Sequence, residues 1–102
     1  MKDAIRRRGE NISAFDIECE VNLHPDVVEC AATGVPSELE DEDVLVTVVL
    51  RPGITLEQEE LLAYCADRLP RFMVPRYVEF VDALPRTPNG KVAKHRLKER
   101  AS

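Results

Sequence analysis

Val44-Leu45-Val46-Thr47-Val48-Val49-Leu50 is the stretch that decides the fold. It contains no charge, glycine or proline, and most of its side chains are β-branched, which suits a pleated strand. The run is nearly continuous rather than alternating, so it predicts a strand covered on both faces. Such a strand needs further layers, and the flanking sequence supplies them.

Downstream, Arg51-Pro52-Gly53 is a turn signal, and Thr55 stands where a helix N-cap belongs. A helix over residues 56–69 would then carry Leu61, Leu62, Cys65 and Leu69 along one apolar side. Pro70 and Pro75 bracket a loop, and the alternation of Tyr77-Val78-Glu79-Phe80-Val81 predicts another strand. Residues 85–90 are rich in turn formers, and residues 92–100 read as a basic helix.

Upstream lies an acidic loop, residues 38–43, preceded by a predicted strand at 27–35 that Gly34 and Pro36 close. Ser13 is a second N-cap candidate, with Asp16 in the first turn of a helix over 14–22. His24-Pro25 ends that helix, since proline cannot continue the hydrogen-bond ladder. Gly9-Glu10-Asn11 reads as a turn, and residues 2–7 as a short edge strand. The element order predicts an α+β domain: a small mixed sheet of about three strands plus the N-terminal edge strand, packed with two to three helices.

The 102 residues suit one domain, 1–102, too small to enclose a deep pocket for a nucleotide and a second substrate. No apolar run approaches the roughly 20 residues needed to span a bilayer, and no signal-peptide pattern opens the chain. A cytoplasmic location is the default expectation. Cys19, Cys30 and Cys65 form no closely spaced pair, so neither a metal site nor a disulfide framework is indicated, and all three are expected as buried thiols. The net charge of −5 is unevenly spread. Residues 1–8 and 86–102 hold ten of the fourteen Lys and Arg against two acids, whereas residues 9–85 are strongly acidic. An acidic body with basic ends argues against nucleic-acid binding, though the ends could meet a phosphate-bearing ligand locally.

The candidate chemistry lies in Leu84-Pro85-Arg86-Thr87-Pro88-Asn89-Gly90-Lys91-Val92. Two prolines stiffen the segment, and Asn89-Gly90 forces a tight turn with Lys91 at its exit. A lysine ammonium is a compact point charge suited to phosphate and carboxylate oxygens. By spacing alone the segment reads as an ordinary surface turn followed by a solvent lysine, and the Gly-x4-Gly-Lys-Ser/Thr pattern of a phosphate-cradling loop is missing. His24 and His95 have no nucleophile or carboxylate at a spacing that would assemble a catalytic triad.

Residues 85–92 resemble the last motif of the adenylate-forming superfamily, which includes acyl-CoA synthetases, peptide-synthetase adenylation domains and beetle luciferases. Lys2-Asp3-Ala4-Ile5-Arg6-Arg7-Arg8-Gly9-Glu10-Asn11-Ile12 resembles the motif that begins that family's C-terminal domain. The two motifs stand at about the family's separation, and the resemblance covers nearly the whole chain. It implies the C-terminal domain of an AMP-forming acyl-CoA synthetase, whose large N-terminal adenylating domain is not part of the sequence. Such enzymes convert a carboxylate and ATP to an acyl-adenylate, then displace AMP with coenzyme A.

The resemblance also implies roles. Lys91 would stabilise the transition state of adenylation, and Lys2 would be the hinge about which the domain rotates between steps. After rotation Arg8, Gly9 and Glu10 would line the tunnel for coenzyme A; many relatives have glycine where this chain has Arg8, which is also readable as a surface arginine. Phe72 and Arg76 match positions that, in similar ligases, stack on or pair with the nucleotide of coenzyme A, while Phe72 also reads as core. Val74 departs from the basic residue of those ligases. ATP with Mg2+, coenzyme A and a carboxylic acid are implied for the full-length enzyme, with none expected on this fragment, which is expected to be inactive alone. Gly9-Glu10-Asn11-Ile12 favours the coenzyme A branch over a peptide-synthetase adenylation domain. A stand-alone protein-interaction domain is the other reading.

Overall fold

In the computed structural model, which describes residues 4–7, 9–36 and 42–101, the strand over the deciding stretch is central. Numbered in chain order, β3 (Val27–Pro36), β4 (Glu42–Leu50) and β5 (Tyr77–Phe80) form one sheet in the order β3-β4-β5. β3 pairs antiparallel with β4, and β5 pairs parallel with it, so the sheet is mixed. The parallel pair needs a crossover, which runs through helix α2 (Gln58–Arg68). Every residue from Asp43 to Val49 is buried, as a strand covered on both faces requires.

Period-two alternation sends these side chains to two separate layers. Val44, Val46 and Val48 join Cys30 and Ala32 under helix α1 (Ala14–Asn22) and α2, where they meet Ile17, Val21, Leu61 and Cys65. On the other face Val49 and Ala31 meet Leu84 and Leu97, the latter on helix α3 (Lys94–Ala101). Thr33 and Thr47 are also buried, and neither hydroxyl has a hydrogen-bond partner among the described residues.

The expected N-terminal edge strand does not join this sheet. β1 (Ala4–Arg7) pairs antiparallel with β2 (Glu10–Ser13) as a separate two-stranded hairpin, so residues 10–13 are strand where the sequence reads as turn and cap. Gly9, at φ +81°, lies in the connection, a conformation that glycine adopts without a Cβ penalty. Each short strand contributes one apolar anchor: Ile5 opposes Ile12, and both are buried in the first layer. One anchor per strand leaves no alternation to read.

Helix α1 begins as expected, with Ser13 Oγ accepting the Asp16 N–H at 3.2 Å. Helix α2 does not start from Thr55. Its N-cap is Glu57, whose N–H is accepted by Glu60 Oε1 at 3.1 Å, so a reciprocal acidic pair starts the helix later. Arg71–Met73 form a single 3-10 turn that buries Met73 and leaves Phe72 exposed. Cys30 and Cys65 are buried, but Cys19 is exposed, because it lies on the outer side of α1.

Candidate functional site

Arg86 and Val92 form an antiparallel bridge that closes a small hairpin around Lys91. Gly90 N–H donates to Thr87 O at 2.9 Å, which makes Thr87-Pro88-Asn89-Gly90 a β-turn with proline at its second position. Gly90 follows at φ +86°. Thr87 N–H donates to Lys91 O at 2.7 Å, and Lys91 N–H donates to Thr87 Oγ1 at 3.3 Å. Pro88 prefers the second turn position with its fixed φ, which moves Asn89-Gly90 one place along from a two-residue hairpin loop. The result is a well-pinned backbone that leaves the Lys91 side chain exposed.

The hairpin is tied to the sheet at its base. Ala93 N–H donates to Pro85 O at 2.7 Å, and Val92 packs with Leu84, Leu97, Ala31 and Val49. Arg86 Nη1 donates to Gly90 O at 3.0 Å, and its Nη2 pairs with Glu29 Oε1 on β3.

A second cluster lies at the other end of β4. Asp43, buried at the strand's start, sits 3.8 Å from Arg7 Nε and 3.5 Å from Arg76 Nη1. Arg7 Nη1 also donates to Phe72 O at 3.4 Å and to Val74 O at 3.5 Å. Arg7 pairs with Glu10 in the β1–β2 hairpin, so this arginine joins the Gly9-Glu10 turn to the loop carrying Phe72 and Arg76. The Phe72 side chain is exposed rather than core, and Arg76 remains 60% exposed despite its pairing with Asp43. The Arg76 guanidinium stands 5.4 Å from the centroid of the exposed Tyr77 ring, and an exposed guanidinium beside an exposed ring can receive an anionic aromatic ligand.

Gly9, Glu10, Phe72 and Arg76 are therefore gathered, and Lys91 with Asn89 and Gly90 is held apart from them. Glu29, the anchor of the lysine hairpin, faces Val49 in the sheet, six residues along β4 from Asp43. At strand rise that is about 20 Å. Lys2 and Arg8 lie outside the described residues, as do residues 38–41 of the expected acidic loop, whose last two residues, Glu42 and Asp43, are instead the start of β4. Sequence reading missed Arg7, Glu29 and Asp43; an acid beginning a buried strand was the one available signal for Asp43.

A cavity of about 440 Å³ lies elsewhere, lined by Leu50, Arg51, Ile54, Phe80 and Asp82 among others, and none of the candidate residues lines it. Among the described residues no group of three or more His, Cys, Asp or Glu is arranged to hold a metal ion. No helix among them is long and apolar enough to cross a membrane. Burial raises the Cys65 thiol to about 11, with Glu20 adding to the shift; burial also raises Cys30 to about 12, with Glu18 adding. Both are inert packing groups rather than nucleophiles.

An α+β domain with helices on both faces of its sheet, an exposed lysine turn and a separate arginine-bearing corner matches a known family. Residues 16–91 match the AMP-binding enzyme C-terminal domain family, and the chain belongs to it. The crotonobetaine/carnitine–CoA ligase of Proteus mirabilis is 42% identical over 91% of this chain. The mitochondrial medium-chain acyl-CoA ligase ACSF2 of Danio rerio is 40% identical over 98%. Among solved structures, apo MatB from Rhodopseudomonas palustris superposes with a TM-score of 0.92 at 38% identity over 97% of this chain and 20% of its own. The chain spans 18% and 16% of the two ligases' lengths.

Proposed function

We propose that residues 1–102 act as the mobile C-terminal domain of an ATP-dependent, AMP-forming acyl-CoA synthetase, working on substrates held by an N-terminal adenylating domain of the same polypeptide. The observation that carries this reading is the separation of the two clusters. Lys91 stands on an exposed turn instead of lining a pocket, so it acts only on a substrate presented by another surface. The patch containing Arg76 and Phe72 is anchored about 20 Å away along the sheet. One active site can use both only in turn, by rotation of the domain about a terminal hinge, the role assigned to Lys2.

In the first half-reaction the Lys91 ammonium bridges the substrate carboxylate and the α-phosphate of ATP. It neutralises charge as it develops and holds the two groups together. Mg2+ accompanies the nucleotide phosphates in the adenylating domain. In the second, the β1–β2 turn with Arg8, Gly9 and Glu10 faces the tunnel for coenzyme A, while Phe72 stacks on its base and Arg76 pairs with a phosphate. The identity of the carboxylic acid is set by the adenylating domain.

The test uses the product of the full reading frame. Lys91→Ala lowers carboxylate-dependent ATP–pyrophosphate exchange by about 100-fold or more. Thioester formation from supplied acyl-adenylate is retained. Equal loss of both half-reactions overturns the division of labour. The 102 residues alone make no thioester, and an open reading frame that begins at Met1 argues against the whole reading.

A further inference from the structure

The hydrogen bonds inside the Lys91 hairpin fix its shape but not its direction. Thr87 N–H to Lys91 O, Gly90 N–H to Thr87 O and Lys91 N–H to Thr87 Oγ1 all close within the turn. Backbone pairing and Val92 packing fix the base of the hairpin, and at its tip Arg86 is the side chain that ties the turn to the sheet: Nη1 holds the Gly90 carbonyl at 3.0 Å while Nη2 holds Glu29 of β3. A planar guanidinium can serve the two acceptors at once at a fixed angle, which a lysine ammonium cannot do as well.

We propose that Arg86 and Glu29 are positioning residues for adenylation: through this clamp they aim the turn that carries Lys91. The proposal rests on the reading of Lys91 given above. Arg86 is 43% and Glu29 33% exposed at the side chain, so their ion pair contributes little to stability. Catalysis is far more sensitive, because misplacing a reacting group by about 1 Å can cost about 100-fold. The clamp therefore matters to the rate much more than to the fold.

The experiment compares Arg86→Lys, Glu29→Gln and Lys91→Ala in the full-length enzyme. Arg86→Lys keeps the charge and loses the fork; Glu29→Gln keeps the shape and loses the charge. Each is expected to lower kcat for adenylation about 10- to 100-fold, with KM for ATP and for the carboxylate unchanged. Thioester formation from supplied acyl-adenylate and the melting temperature stay at the parent values. Parent kcat in both clamp variants, alongside an inactive Lys91→Ala, overturns the clamp and leaves the role of Lys91 standing. Equal loss in both half-reactions reduces the pair to a structural role and also overturns it. Full adenylation by Lys91→Ala removes the reading of the lysine and the clamp together.

Discussion

The Lys94 ammonium lies 2.7 Å from Glu18 Oε2, and this contact joins the helices on opposite faces of the sheet. The same carboxylate oxygen accepts the Ala32 N–H of β3 at 2.8 Å. β3 ends the three-stranded sheet on one side, so Glu18 covers a strand edge that would otherwise be open. Lys94 begins the helix that follows Lys91, so the bond also anchors the far side of the lysine turn.

Breaking that junction costs more at Glu18 than at Lys94. Lys94→Met is expected to destabilise the domain by about 1 kcal/mol, the scale of a partly exposed pair. Glu18→Ala also strands the Ala32 amide and is expected to cost about 2 kcal/mol. Urea unfolding of both single variants and the double variant checks this, with the double costing less than the sum.

Thr47→Val is expected to stabilise the chain by about 1 kcal/mol, because it removes a fully buried hydroxyl with no partner among the described residues and keeps the β-branched shape. The denaturant midpoint should rise with an unchanged slope; a fall would mean that the hydroxyl has a partner after all.

Gly90→Ala tests the backbone of the turn alone. Nothing lies within 4 Å of where the new Cβ would stand, so the cost arises from the φ of +86°. About 1–2 kcal/mol of local strain is expected. In the full-length enzyme, adenylation should slow while thioester formation from supplied acyl-adenylate does not.

Asp43→Asn should act on the opposite half-reaction. It removes the charge that sets Arg7 and Arg76 side by side. KM for coenzyme A is expected to change several-fold, with ATP–pyrophosphate exchange intact, as steady-state kinetics of the two half-reactions would read out.

The thiols should separate by burial. Cys19 should react with a thiol reagent in the folded chain, and Cys30 and Cys65 only after unfolding. Folding raises both buried pKa values above the ordinary thiol value of 9.0, to about 12 for Cys30 and about 11 for Cys65. Above pH 9 the unfolded chain loses these protons while the folded chain keeps them. Their contribution to stability is thus complete below pH 9 and is lost as pH rises through 11 to 12. The Cys30→Ala/Cys65→Ala variant should show a flatter decline over that window.

The sequence by itself determined the elements whose cause is local. The continuous β-branched run of β4 implied burial on both faces, and Ser13 with Pro25 nearby bounded α1 to the residue. Pro88, Asn89 and Gly90 specified a turn that presents Lys91, since their backbone preferences need no tertiary help. Only the tertiary structure decided what depends on distant partners. Ile5 and Ile12 make a hairpin because the first core layer receives both. Asp43 becomes the link between Arg7 and Arg76 because strand pairing and the 3-10 turn bring them to one corner. Glu29 meets Arg86 across 57 positions of chain. Such contacts follow from register and packing, and a one-residue slip in β3 would turn Glu29 to the other face.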